Sequence, residues 1–141
     1  MKRSGSAVWQ GSFKDGVGAI STASGALENA PYSVVSRFED RPGTNPEELL
    51  GAAHAGCFSM AFSLVLAEAG LTAERFETEA LVTLEKVSDG YAITAIHLIM
   101  SAKIPGANQA KFEELANKAK TGCPVSKVLN AKISLKATLA S

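Results

Sequence analysis

Two cysteines, Cys57 and Cys123, are the only thiols in this 141-residue chain. Sulfur is nucleophilic as thiolate, so each must be asked what could lower its pKa from about 8.5. Cys123 stands before Pro124 at the start of a short helical run to about Leu129. A helix N-terminus stabilises a thiolate directly, so local electrostatics alone favour Cys123. Cys57 lies among Leu49, Leu50, Phe58, Met60 and Phe62, and burial there raises its pKa unless a cation is brought to it. One guanidinium at ~4 Å, at an effective dielectric near 20, is worth ~4 kcal/mol before desolvation is charged against it. A helix terminus is worth only ~0.3–1 kcal/mol. An arginine beside Cys57 would therefore reverse the preference, and Arg37 or Arg41, in the stretch ahead of the Cys57 segment, could provide it.

Two carboxylates open that segment and can be told apart. Asn45 and Glu48 have the N-cap-to-N3 spacing of a capping box, which gives Glu48 a local task. Glu47 has none and is the better candidate for a role in chemistry. In a straight helix, ten residues are about 15 Å of rise. Glu47 thus acts on a Cys57 only from a second subunit, or through an arginine that it orients. His54 reads as a core or interface histidine and His97 as structural, and Phe58, Met60 and Phe62 as core packing, with an apolar substrate entrance as the alternative for one of them. No Cys-x-x-Cys pair or shared histidine setting suggests a metal site.

The element that must position Cys57 announces itself. Asn45 caps, Pro46 suits the first helical position, Glu47 and Glu48 face the positive helix end, and Gly70 supplies the stop. The span Pro46–Ala69 is about 36 Å of helix, apolar nearly all round. Such a helix is covered on all sides or lies in a membrane. His54 within it, flanking glutamates in place of Lys or Arg, and no Trp or Tyr belt argue against the membrane. One short chain can hardly cover it, so a second copy is expected to.

Around this helix the pattern predicts strands at Ser6–Phe13, Gly16–Ser24 and Ala26–Val35, then a charged loop Ser36–Thr44. Two strands follow, one carrying Phe76, Thr78, Ala80, Val82 and Leu84 on one face, the other Tyr91–Lys103. Asn108 caps an amphipathic helix with the stripe Phe112, Leu115, Ala116, Ala119. The short helix after Cys123 and a closing strand at Ile133–Leu139 complete an α+β order with mainly antiparallel sheet, read as a single domain over 1–141.

Composition narrows the function classes. Fourteen Lys+Arg balance fourteen Asp+Glu, which offers no basic excess for nucleic acid and no polybasic membrane patch. Met1–Gln10 lacks the apolar core of a signal peptide, so a cytoplasmic location is expected. There a cysteine pair points to reactivity rather than a structural bridge.

Arg37-Phe-Glu, Gly43-Thr-Asn-Pro-Glu-Glu-Leu50, Ala52-Ala-His-Ala-Gly-Cys57-Phe-Ser-Met and Gly122-Cys-Pro-Val-Ser126 together resemble the OsmC/Ohr family of thiol-dependent hydroperoxide reductases. The resemblance covers nearly the whole chain, and is nearest to the osmotically inducible protein C branch. It implies an OsmC-like fold, in which sheets from both chains of an intertwined homodimer wrap two long Cys-bearing helices. It implies Cys57 as the peroxidatic thiolate, Cys123 as the resolving thiol, Arg37 as activator of Cys57, and Glu47 as the residue that holds Arg37. It further implies a Cys57 sulfenic acid, a Cys57–Cys123 disulfide, a lipoyl-bearing protein or dihydrolipoamide as dithiol reductant, and no metal, haem or flavin. A non-catalytic redox sensor or small-molecule-binding dimer, with the cysteine pair as switch, is the competing reading. A general dithiol oxidoreductase is disfavoured without Cys-x-x-Cys.

Overall fold

In the computed structural model, which describes residues 1–141, the chain runs β1 (Gly5–Gln10), β2 (Val17–Thr22), β3 (Ala30–Tyr32), α1 (Val34–Phe38), α2 (Pro46–Glu68), β4 (Arg75–Val87), β5 (Gly90–Lys103), α3 (Gln109–Gly122), α4 (Pro124–Val128) and β6 (Lys132–Ala140). These α and β elements fall into two compact units, residues 1–49 and 50–141.

In the first unit β1, β2 and β3 form an antiparallel sheet in that order. Gly18 on β2 is there because the rings of Trp9 and Tyr32 occupy the place of a side chain; a Cβ would sit 2.3 Å from the Tyr32 ring. Those two rings pack at 5.5 Å between centroids, tilted by 59°.

The third strand is much shorter than its β-capable sequence predicts, and the supposed loop begins as a helix. Ser33 and Ser36 are the cause. Ser33 caps α1 by accepting the Ser36 N–H, while the Ser36 hydroxyl accepts the Ser33 N–H at 2.8 Å. This reciprocal box overrides the strand preference of Val34 and Val35. The Ser36 hydroxyl also donates to the Thr44 carbonyl at 2.9 Å, and the Thr44 N–H to the Pro31 carbonyl at 2.8 Å. The charged segment is thereby folded back onto β3 before α2 begins.

The second unit is built on β4, β5 and β6, with β5 in the middle. β4 and β5 form a long antiparallel hairpin. β6 pairs with β5 in parallel, because the crossover through α3 and α4 returns the chain in the same direction. One face of this sheet carries Ile96, Leu98, Met100 and Ala102 into a core shared with Phe58, Phe62, Val65 and Leu66 of α2 and with Phe112, Leu115, Ala116 and Ala119 of α3. Phe62 meets Phe76 and Phe112 edge-on, at 5.2 and 6.0 Å between centroids. Gly51 allows α2 to approach β4; a Cβ there would lie 3.1 Å from the Ala80 carbonyl oxygen.

The helix α2 is unbroken over 23 residues. By length and composition it could cross a bilayer, yet His54, Phe58, Phe62, Val65 and Leu66 are buried within the protein. The chain covers one side only. Ala53, Gly56, Met60, Leu64 and Ala67 form an exposed apolar stripe, with Met60 78% and Leu64 61% exposed.

Candidate functional site

The candidate residues gather in two clusters, one in each unit. In the first, α1 presents Arg37 to Glu47 in the opening turn of α2. Arg37 Nη2 donates to Glu47 Oε1 at 2.8 Å and Nε to Oε1 and Oε2 at 3.1 and 3.3 Å. This fork of charge-assisted bonds fixes the guanidinium plane. The two neighbouring carboxylates divide as the capping logic predicts. Glu48 accepts the Thr44 hydroxyl at 2.6 Å and its N–H donates to Asn45 Oδ1 at 2.8 Å. Only half of the expected capping box therefore forms, since Thr44 takes the carboxylate that would have reached back to Asn45. Glu47 is left to Arg37 and is itself buried. Arg41, the other candidate cation, is exposed. The guanidinium carbon of Arg37 stands 5.3 Å from the Phe38 ring centre. Arg37 also borders an apolar cleft of about 150 Å³ lined by Trp9, Phe13, Tyr32, Val34 and Phe38, with Ser33 at its edge.

The second cluster is Cys57 on α2 and Cys123 at the corner between α3 and α4. Both are free thiols, Cys57 half-buried and Cys123 fully buried. The Cys123 side chain and the Val125 backbone both lie close enough to Cys57 to act on its titration. Burial pushes the Cys57 pKa up, the Cys123 thiol adds to the rise, and the Val125 N–H opposes it. The donor at the start of α4 thus serves Cys57, whereas the sequence suggested that Cys123 would profit. Cys123 caps α4 by position, without a side-chain cap bond. Its N–H closes α3 instead, donating to the Ala119 carbonyl at 3.0 Å.

One turn before Cys57, His54 is fully buried. Its Nε2 is 2.7 Å from Ser126 Oγ, and its Nδ1 has no partner. Burial lowers its pKa. The sequence reading placed His54 in the core or an interface, and it is buried within the chain, but that reading did not link it to Ser126. The matched three-residue spacing of His54 with Cys57 and of Cys123 with Ser126 is compatible with the pairing but does not by itself name it. His97 is likewise paired, its Nδ1 2.7 Å from Ser134 Oγ.

The profile of a family described as "OsmC-like protein" matches residues 38–138. The chain belongs to that family. OsmC-like proteins of known description lie close to it along nearly its whole length. It is 52% identical over 133 residues to "Peroxiredoxin OsmC" of Escherichia coli (strain K12), covering 94% of this chain and 93% of the relative. It is 32% identical over 123 residues to "Organic hydroperoxide resistance protein OhrB" of Bacillus subtilis (strain 168), covering 86% and 88%. The crystal structure of that Bacillus subtilis OhrB superposes with a TM-score of 0.69 at 26% identity, over 97% of this chain and 98% of the other. An OsmC-like protein from Mycoplasma pneumoniae has the same fold, with a TM-score of 0.77 at 17% identity over 100% and 99%. Glu47, Cys57 and Cys123 fall within the OsmC-like span, and Arg37 lies one residue before it.

Proposed function

We propose that Cys57 of this chain is oxidised by hydroperoxides and that Cys123 resolves the product. The protein is a thiol peroxidase of the OsmC/Ohr type that acts on hydroperoxides in stress defence, with a thiol as reductant. The observation that carries the residue assignment is the nearness of the two free thiols, Cys123 lying close enough to Cys57 to act on its titration.

In this reading the Cys57 thiolate attacks the distal oxygen of ROOH. The O–O bond breaks, RO⁻ leaves and is protonated to the alcohol, and the sulfur becomes a sulfenic acid. The Cys123 sulfur then attacks Cys57 and displaces hydroxide, so the pair condenses to a disulfide with loss of water. An external dithiol returns two electrons and two protons; a lipoyl-bearing protein or dihydrolipoamide fits this step. Because burial raises the Cys57 pKa, a cation must join it for rapid attack at neutral pH. The clamped guanidinium of Arg37 is that cation, with Glu47 as the positioning residue.

Glu47 and Cys57 stand on one unbroken helix, separated by about 15 Å of rise. A second copy therefore supplies the Arg37–Glu47 pair to each Cys57, in a homodimer closed over the exposed stripe of α2. Residues 1–141 act in this reading as one OsmC-like domain, in the cytoplasm. The apolar walls beside Arg37 favour organic hydroperoxides.

Intact mass and thiol titration, before and after one equivalent of an organic hydroperoxide, test the proposal. The expected product lacks two hydrogens, has no free thiol, and links Cys57 to Cys123 within one chain. Peptide mapping that finds both thiols still alkylatable would overturn it.

A further inference from the structure

The three-residue spacing of His54 and Cys57 places both on one side of α2. Cys123 and Ser126 are spaced alike across the start of α4. The two pairs meet rung against rung: Cys123 lies near enough to Cys57 to act on its titration, and His54 Nε2 is 2.7 Å from Ser126 Oγ. Two contacts one turn apart fix the position of the α3–α4 corner along α2, which a single sulfur–sulfur contact cannot do.

His54 is suited to holding rather than to proton transfer. It is fully buried, and burial lowers its pKa, which favours the neutral ring. With Nδ1 unpartnered, the least costly tautomer carries its hydrogen on Nε2 and donates it to Ser126 Oγ, because an orphaned N–H is rarer in proteins than an underused acceptor. A buried imidazole with half its hydrogen-bonding capacity unused is an expensive way to fill space. An apolar side chain would fill it without an orphaned atom.

We propose that the His54–Ser126 hydrogen bond is a latch that keeps residues 123–126 seated on α2. It holds the Val125 backbone and the Cys123 side chain in place beside Cys57. His54 and Ser126 are positioning residues for the reaction proposed above, on which this inference rests. The latch bears on both half-steps. The N–H donor steadies the Cys57 thiolate before oxidation, and the seated Cys123 shortens the lifetime of the sulfenic acid after it.

Ser126→Ala removes the acceptor at a half-buried position, and Ser126→Thr restores a hydroxyl. Two readouts apply. The first uses no hydroperoxide: the pH profile of iodoacetamide alkylation at Cys57, taken in a Cys123→Ser background. With Cys123 replaced, the Val125 backbone is the group of the α3–α4 corner that still opposes the rise of the Cys57 pKa. Ser126→Ala is expected to move the profile to higher pH, and Ser126→Thr to return it. The second readout is the rate at which trapped sulfenic acid is replaced by disulfide after one equivalent of organic hydroperoxide, with Cys123 intact. Ser126→Ala is expected to slow this about tenfold, the order of one hydrogen bond, while Ser126→Thr stays near the parent. His54→Gln, whose amide nitrogen can reach the place of Nε2, is expected to be less impaired than His54→Leu. A Ser126→Ala protein that matches the parent in both readouts overturns the latch, as does a Ser126→Thr protein as impaired as Ser126→Ala. Should the parent form no sulfenic acid at all, the proposed reaction fails, and the alkylation profiles still judge the latch.

Discussion

At the scale of single residues, each sulfur has a different neighbour and therefore a different expected phenotype. Cys57→Ser should abolish hydroperoxide consumption and sulfenic acid trapping. Cys123→Ser should still complete one oxidation and leave a trappable or over-oxidised Cys57, read by dimedone labelling and intact mass. Arg37→Ala should slow the first oxidation by about 10- to 100-fold, since a nearby cation shifts a thiol by one to two pKa units after desolvation. Glu47→Gln should slow it less, because Arg37 keeps its charge and loses only part of its clamp. Stopped-flow oxidation of the reduced protein reads both. The separation of Glu47 from Glu48 was legible because capping gives Glu48 a task and leaves Glu47 without one. The His54–Ser126 bond was not legible. A histidine in an apolar run shows no partner until another helix is placed against it, and nothing in the periodicity of α2 names that helix.

At the scale of elements, α2 and its partners set two stability expectations. Burial lowers the His54 pKa, so the unfolded chain takes up the His54 proton first as pH falls. The stability this group contributes is present above its ordinary value of about 6.5 and is lost as pH drops through the folded pKa. The thermal midpoint of the parent should therefore fall more between pH 7.5 and 5 than that of His54→Gln. Gly51→Val should destabilise by about 1–3 kcal/mol in chemical denaturation, because added bulk must push α2 away from the Ala80 carbonyl. The caps of α2 and α3 were readable as residue types at fixed offsets, and both long strands as alternating patterns. The helix α1 was not, since two β-branched residues hid a serine box that carries no glutamate. Nor was the direction of β6, because alternation tells which face a residue takes and is silent on strand polarity.

At the scale of the whole molecule, the exposed stripe on α2 is the largest departure from a self-sufficient core. Met60 and Leu64 stand open beside Gly56, and burying side chains of this size is worth ~1.5–3 kcal/mol each. Sedimentation at micromolar concentration should show a dimer, and Met60→Glu should weaken it by at least tenfold in dissociation constant. A folded parent monomer under those conditions would remove the second copy from the mechanism. The exposed stripe itself was legible in the absence of any polar face on the helix, and the partner proposed to cover it rests on that stripe. The parallel pairing of β6 with β5 has a consequence in time. The corner that bears Cys123 lies inside the crossover 104–131, and that crossover is closed only when the last strand zips onto the middle one. Contacts of such long sequence separation form late, after most of the chain has collapsed. A chain truncated before β6 is therefore expected to hold Cys57 and Cys123 apart, so that the two thiols alkylate independently and form no disulfide with one equivalent of organic hydroperoxide.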